Sequence, residues 1–92
     1  MKRQRNKYYQ INWKKSAVKS AKRLPEQIKK HILEKIEELA VKPQKGELLK
    51  GDLENLRRIR VGDYRVIYWV NKEEKEILIV KIGRRGDIYK KI

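Results

Sequence analysis

The chain has no cysteine, a single histidine and no acidic residue before Glu26. Each shortage removes a class of function. Without cysteine there is no disulfide framework, no thiolate metal site and no thiol nucleophile, which fits a reducing compartment. His31 stands alone beside an apolar helical stripe, a weak position for a ligand or a base. HExxH, an acidic cluster spaced for magnesium and a Gly-rich phosphate loop are all missing, so metal-ion hydrolysis and nucleotide binding have no candidate residues and no cofactor is expected. The apolar run Ile77 to Val80, like every other in the chain, is far too short to cross a bilayer, and the basic start is not followed by an apolar signal region. A soluble, cytoplasmic protein with no membrane partner is expected.

What the chain has in excess is positive charge. Twenty-six Lys and Arg face 12 Asp and Glu, a formal net charge of +14 over 92 residues. Hydrophobic residues at 39% recur in order along most of the chain, so one domain over residues 1–92 with a charged shell is expected, burying about two-thirds of its unfolded surface. The charge is uneven: residues 1–25 carry nine basic and no acidic side chains, whereas residues 26–54 carry six and seven. Such separation suits a polyanion, because phosphate contacts release counterions and supply most non-specific affinity. Nucleic acid is the leading partner class, an acidic protein segment the next and an anionic membrane the third.

Hydrophobic periodicity divides the chain into elements. Tyr9 to Trp13 alternates apolar and polar residues, the pattern of a half-buried strand. From Lys14 to Leu24 the apolar positions fall three and four apart, giving a narrow helical stripe. Pro25 opens a second helix to about Ala40, whose apolar face is Ile28, Ile32, Leu33, Ile36, Leu39 and Ala40. Glu34, Glu37 and Glu38 read as surface partners for Lys30 and Lys35. Residues 41–52, with Pro43, Gly46 and Gly51, read as a loop. The period then becomes two, in one strand around Ile59 and Val61 and another from Tyr64 to Val70. Ile77 to Ile82 fits a buried central strand, and Gly83 to Ile92 is basic and irregular. The order predicts an α+β fold, two N-terminal helices packed on a small antiparallel β-sheet.

Gly62-Asp63 suits a type II′ hairpin turn, which pairs Val61 with Tyr64, Arg60 with Arg65, Ile59 with Val66 and Arg58 with Ile67. Directly paired residues share a face, so Arg58, Arg60 and Arg65 gather opposite the core. Like charges across strands are destabilising, and a bound phosphate backbone would compensate them through planar, bidentate guanidinium contacts. Simple coating of an exposed sheet face is the alternative. Arg84 or Arg85, followed by Tyr89, can reach the same face if the last strand lies beside the hairpin. Tyr89 there is a base-stacking or proton-exchanging group, or an ordinary partly buried tyrosine.

Taken together, the helical pair hinged at Arg23-Leu24-Pro25, the segment Leu48-Leu49-Lys50-Gly51, the run Leu56 to Tyr68 with its Arg-x-Gly-Asp-Tyr-Arg-x-x-Tyr core, and the closing Gly83 to Tyr89 resemble the RelE/ParE superfamily of toxins from prokaryotic toxin–antitoxin pairs. The resemblance to its RelE branch implies a metal-independent endoribonuclease that cuts mRNA in the ribosomal A site. It implies that Arg65 and Arg85 hold and neutralise the scissile phosphate, Arg85 also assisting the leaving group, and that Tyr89 orients the attacking 2′-hydroxyl or stacks on a base. Arg58 and Arg60 fall where that branch typically has lysines. Arginine stays protonated at neutral pH and is a poor base, so either catalysis leans mostly on electrostatic stabilisation and positioning, or the base is another group, Tyr89 or an rRNA moiety. Arg57, Arg84, Lys81, Lys14, Lys15, Lys22 and Arg23 complete the expected RNA footprint. The implied partners are a RelB-like antitoxin, the ribosome with its rRNA, and mRNA, the toxin itself being a monomer. The alternatives are a ParE-like poison of DNA gyrase and a non-catalytic RNA-binding domain on the same fold.

Overall fold

A computed structural model describes residues 8–49 and 55–84. The elements follow in the order β1 (Gln10–Trp13), α1 (Lys15–Lys22), α2 (Glu26–Val41), β2 (Glu47–Leu48), β3 (Leu56–Val61), β4 (Tyr64–Asn71) and β5 (Glu76–Arg84). The sheet has five strands in the order β1-β5-β4-β3-β2. Both helices lie against one face of it. Ala17, Ile32, Ile36 and Leu39 from the helices meet Val66, Tyr68, Ile77, Ile79 and Ile82 from the sheet, all of them buried. These are the residues that the 3.6 and 2.0 periodicities place on one side, and their burial is the main force holding the layers together.

The sheet departs from the sequence expectation in four places. It is mixed instead of antiparallel, because β1 pairs parallel to β5, with Ile11 beside Ile77 and Trp13 beside Ile79. Between them α1 and α2 carry the chain across the sheet to β2 at the opposite edge, and the antiparallel run through β2, β3 and β4 brings it back so that β5 arrives parallel to β1. Residues 41–52 are not all loop, since Glu47–Leu48 forms a short strand on the edge of β3. The last strand does not stop at Ile82, because Gly83 and Arg84 continue to pair with Arg65 and Tyr64. Between Ile67 and Tyr68 the register slips: Ile67 faces Lys81 whereas Tyr68 faces Ile79, so Val80 is the extra residue of a bulge. That bulge turns Lys81 away from the helices and leaves Ile82 on their side.

The β3–β4 hairpin has the expected register, from Val61 opposite Tyr64 to Arg58 opposite Ile67. Gly62 has φ of +62°, the left-handed value that the first residue of a type II′ turn requires.

Tyr68 ties the edge of the sheet to the end of α2. Its ring is fully buried, its O–H donates to the Pro43 carbonyl at 2.8 Å, and its oxygen accepts from the Gly46 N–H at 2.9 Å. Burial pushes the Tyr68 hydroxyl pKa up, against the opposing effects of the Gly46 hydrogen bond and the Arg57 charge. A raised folded-state pKa gives stability that is complete below the unfolded value near 10 and is lost as pH rises through the folded one. Tyr68→Phe is therefore expected to cost about 1–3 kcal/mol at neutral pH, through the unsatisfied Gly46 N–H and Pro43 carbonyl. Its penalty should shrink above pH 10, which thermal melts of both proteins across that range would reveal.

Candidate nucleic-acid interface

The face of the sheet turned away from the helices carries the basic residues in rows. Arg60 lies directly opposite Arg65, and Arg65 opposite Gly83. One step along, Arg58 lies opposite Ile67, and Ile67 opposite Lys81. Arg58, Arg60, Arg65 and Lys81 thus converge on one surface, the last of them brought there by the bulge at Val80. Arg60 is exposed, and Arg58 is half-buried. Arg65 is only 8% exposed, with Nη1 donating to the carbonyls of Tyr64 at 3.3 Å and Gly62 at 3.4 Å. These bonds hold its guanidinium plane against the hairpin, a constraint that a lysine ammonium would not accept in the same way.

The face also carries an acid. Glu47, on β2 directly across from Arg58, makes an ion pair with it. The hydrogen bond and charge of Arg58, helped by Arg60, hold the Glu47 carboxyl below the usual carboxylate range. This contact went unread because β2 is too short to leave a period in the sequence. Glu38, expected as a partner for a helix lysine, pairs with Lys35 at 3.9 Å and also with Lys45 from the following loop.

Other expected footprint residues lie elsewhere. Arg57 is paired with Tyr68 and so faces the helices, where its Nη1 donates to the Gly46 carbonyl at 2.8 Å and the Gln44 carbonyl at 3.4 Å. It fastens the loop after α2 instead of lining the basic face. Arg84 is paired with Tyr64 on the helix side, its Cζ 5.7 Å from the centre of the Tyr64 ring, a cation–π distance. Lys14, Lys15, Lys22 and Arg23 belong to α1 and its ends, exposed on the layer that covers the opposite side of the sheet. Arg85 and Tyr89 lie outside the described residues.

A model of the ParE toxins of type II toxin–antitoxin systems matches residues 11–89. The toxin RelE of Mycobacterium tuberculosis is 35% identical over 77 residues, which cover 82% of this chain and 79% of that toxin. The chain belongs to the RelE/ParE family of type II toxins. Its fold is that of solved RelE proteins. The toxin–antitoxin complex RelBE of Mycobacterium tuberculosis superposes with a TM-score of 0.78 at 24% identity, covering 85% of this chain and 99% of that one. The archaeal RelE–RelB complex of Pyrococcus horikoshii gives 0.71 at 37% identity, over 87% and 98%. In this RelE/ParE chain the β3–β4 hairpin supplies the glycine turn and the direct opposition of Arg60 and Arg65.

Proposed function

We infer that this toxin is a metal-independent endoribonuclease that cuts mRNA in the ribosomal A site. The observation that carries the reading is the direct opposition of Arg60 and Arg65, flanked by Arg58 and Lys81 on a face that the helices leave open. Like charges so placed cost stability, and an RNA phosphate would offset that cost. In the proposed reaction the 2′-oxygen attacks the adjacent phosphorus, the bond to the 5′-oxygen breaks, and that oxygen leaves with a proton as a 5′-hydroxyl. The other product is a 2′,3′-cyclic phosphate, which water can hydrolyse to a 3′-phosphate with a free 2′-hydroxyl. Arg65 and Arg85 would neutralise the charge that builds on the phosphoryl oxygens, and Arg85 would also favour departure of the 5′-oxygen. Tyr89 would orient the 2′-hydroxyl. Arg58 and Arg60, as poor bases, contribute position and charge, while the 2′-hydroxyl proton passes to Tyr89 in its phenolate form or to a group of the rRNA and is returned to the departing 5′-oxygen.

An antitoxin of the RelB kind is the proposed protein partner, because RelE proteins of the same fold have been solved in complexes with RelB. Ribosome binding and a cytoplasmic site of action follow from the same reading. The match to a model of ParE toxins favours a second one, poisoning of DNA gyrase. Purified toxin added to ribosomes programmed with a short mRNA separates the two: cleavage at the A-site codon is expected, and intact message together with gyrase-dependent DNA breaks would establish the second reading.

A further inference from the structure

We propose that Glu47 is a built-in competitor for the RNA backbone, its carboxylate occupying Arg58 until a phosphate displaces it. The inference rests on the RNA-cleaving reading of the basic face and adds a gate to it. Lys35, Lys45, Glu47, Arg58 and Arg60 line one open cleft between the second half of α2 and the edge of β3. β2 pairs only with Arg57 and Arg58 of that edge, so the part of the cleft lined by Ile59 and Arg60 is not covered by a strand. Lys35, Lys45, Arg58 and Arg60 are among its lining residues, and among the described residues Glu47 pairs with Arg58 and Glu38 with Lys35 and Lys45.

The two ends of Glu47 are held very differently. Its backbone follows Gly46, whose N–H is bonded to the buried Tyr68 oxygen and whose carbonyl accepts from Arg57. Its side chain is 66% exposed, against 25% for Arg58. The backbone is therefore fixed and the carboxylate can swing into water without breaking a strand. An exposed carboxylate–guanidinium pair is a weak contact, whereas a phosphate on the same guanidinium makes a bidentate, charge-assisted one and releases counterions from the RNA. The glutamate thus holds Arg58 in the orientation that a phosphate oxygen needs and yields to a stronger acceptor. It also lowers the affinity of the free toxin for stray RNA.

The test measures binding of a fluorescent 2′-O-methyl RNA oligonucleotide, which cannot be cut at its 2′ position, between about 50 and 200 mM salt. Glu47→Gln is compared with Glu73→Gln, which removes the same charge from the exposed β4–β5 turn at the far end of the sheet. Glu47→Gln is expected to tighten binding roughly three- to fivefold at low salt, with Glu73→Gln changing it little. The gain should vanish when Glu47→Gln is made in an Arg58→Ala background. Equal effects of the two glutamine variants, or weaker binding by Glu47→Gln, would overturn the gate while leaving the RNA reading intact. Tightening towards an oligoglutamate peptide but not towards RNA would make the cleft a protein-docking site and also overturn it. If the unsubstituted toxin does not bind the oligonucleotide at all, the RNA reading fails and the gate fails with it.

Discussion

Arg65→Lys is expected to slow mRNA cleavage on programmed ribosomes by about a hundredfold or more, the usual cost of losing one donor aimed at developing transition-state charge. Lysine keeps the charge and most of the stem, so bulk attraction to RNA should change little. What it loses is the planar fork, and with it the geometry imposed by the Tyr64 and Gly62 carbonyls on the Arg65 Nη1. A side chain that merely coated the sheet would tolerate the exchange. The measurement is single-turnover cleavage beside a thermal melt: the melt should move by only a few degrees while the rate collapses. Arg85→Ala with Tyr89→Phe should give a loss at least as large, because both groups are assigned to the reacting atoms.

The largest effect on stability is expected from Gly46→Ala. A Cβ at this position would lie 2.5 Å from the Tyr68 hydroxyl oxygen, 2.8 Å from the Arg58 carbonyl and 2.9 Å from the Tyr68 ring. Two of these neighbours cannot give way cheaply, one being backbone and the other a ring packed in the core. Overpacking and the loss of the Tyr68 hydrogen bonds together amount to roughly 3 kcal/mol, or about 12 °C or more in Tm for a domain of this size. The Tyr68→Phe variant supplies the control. Removing the hydroxyl deletes the nearest clash, so the double substitution should cost clearly less than the sum of the two single ones. Strict additivity, read from melts of all four proteins, would show that Gly46 and Tyr68 do not act as one latch.

The hairpin was the most legible part of the chain. Gly62-Asp63 sets the turn, the turn sets the register, and the register places Arg58, Arg60 and Arg65 on one face. Extending the same pairing by one residue would have put Arg57 beside Tyr68, on the helix side, so its structural role was within reach of the sequence. Alternation along Gly83-Arg84 would likewise have opposed Arg84 to Tyr64 had the strand been carried past Ile82. Other features leave no local trace. The parallel pairing of β1 is decided by the helical crossing to the far edge and the antiparallel return through β2, β3 and β4 to β5. Glu47 meets Arg58 only because Tyr68, 22 residues from Gly46, fixes the loop. The bulge at Val80 hides inside a run of apolar residues, yet it is what delivers Lys81 to the basic face. The nine basic residues before Glu26 read as a second part of the footprint, at a distance from the chemistry, and those described on α1 stand on the helical layer.

The central claim is that the opposed arginines of the hairpin serve RNA cleavage on the ribosome. Primer extension on a translated message after induction of the toxin tests it most directly. New 5′ ends in register with the reading frame, present with the unsubstituted chain and absent with Arg65→Lys, are the expected result. Intact message in arrested cells, or in-frame ends that persist at the same level with Arg65→Lys, would contradict it.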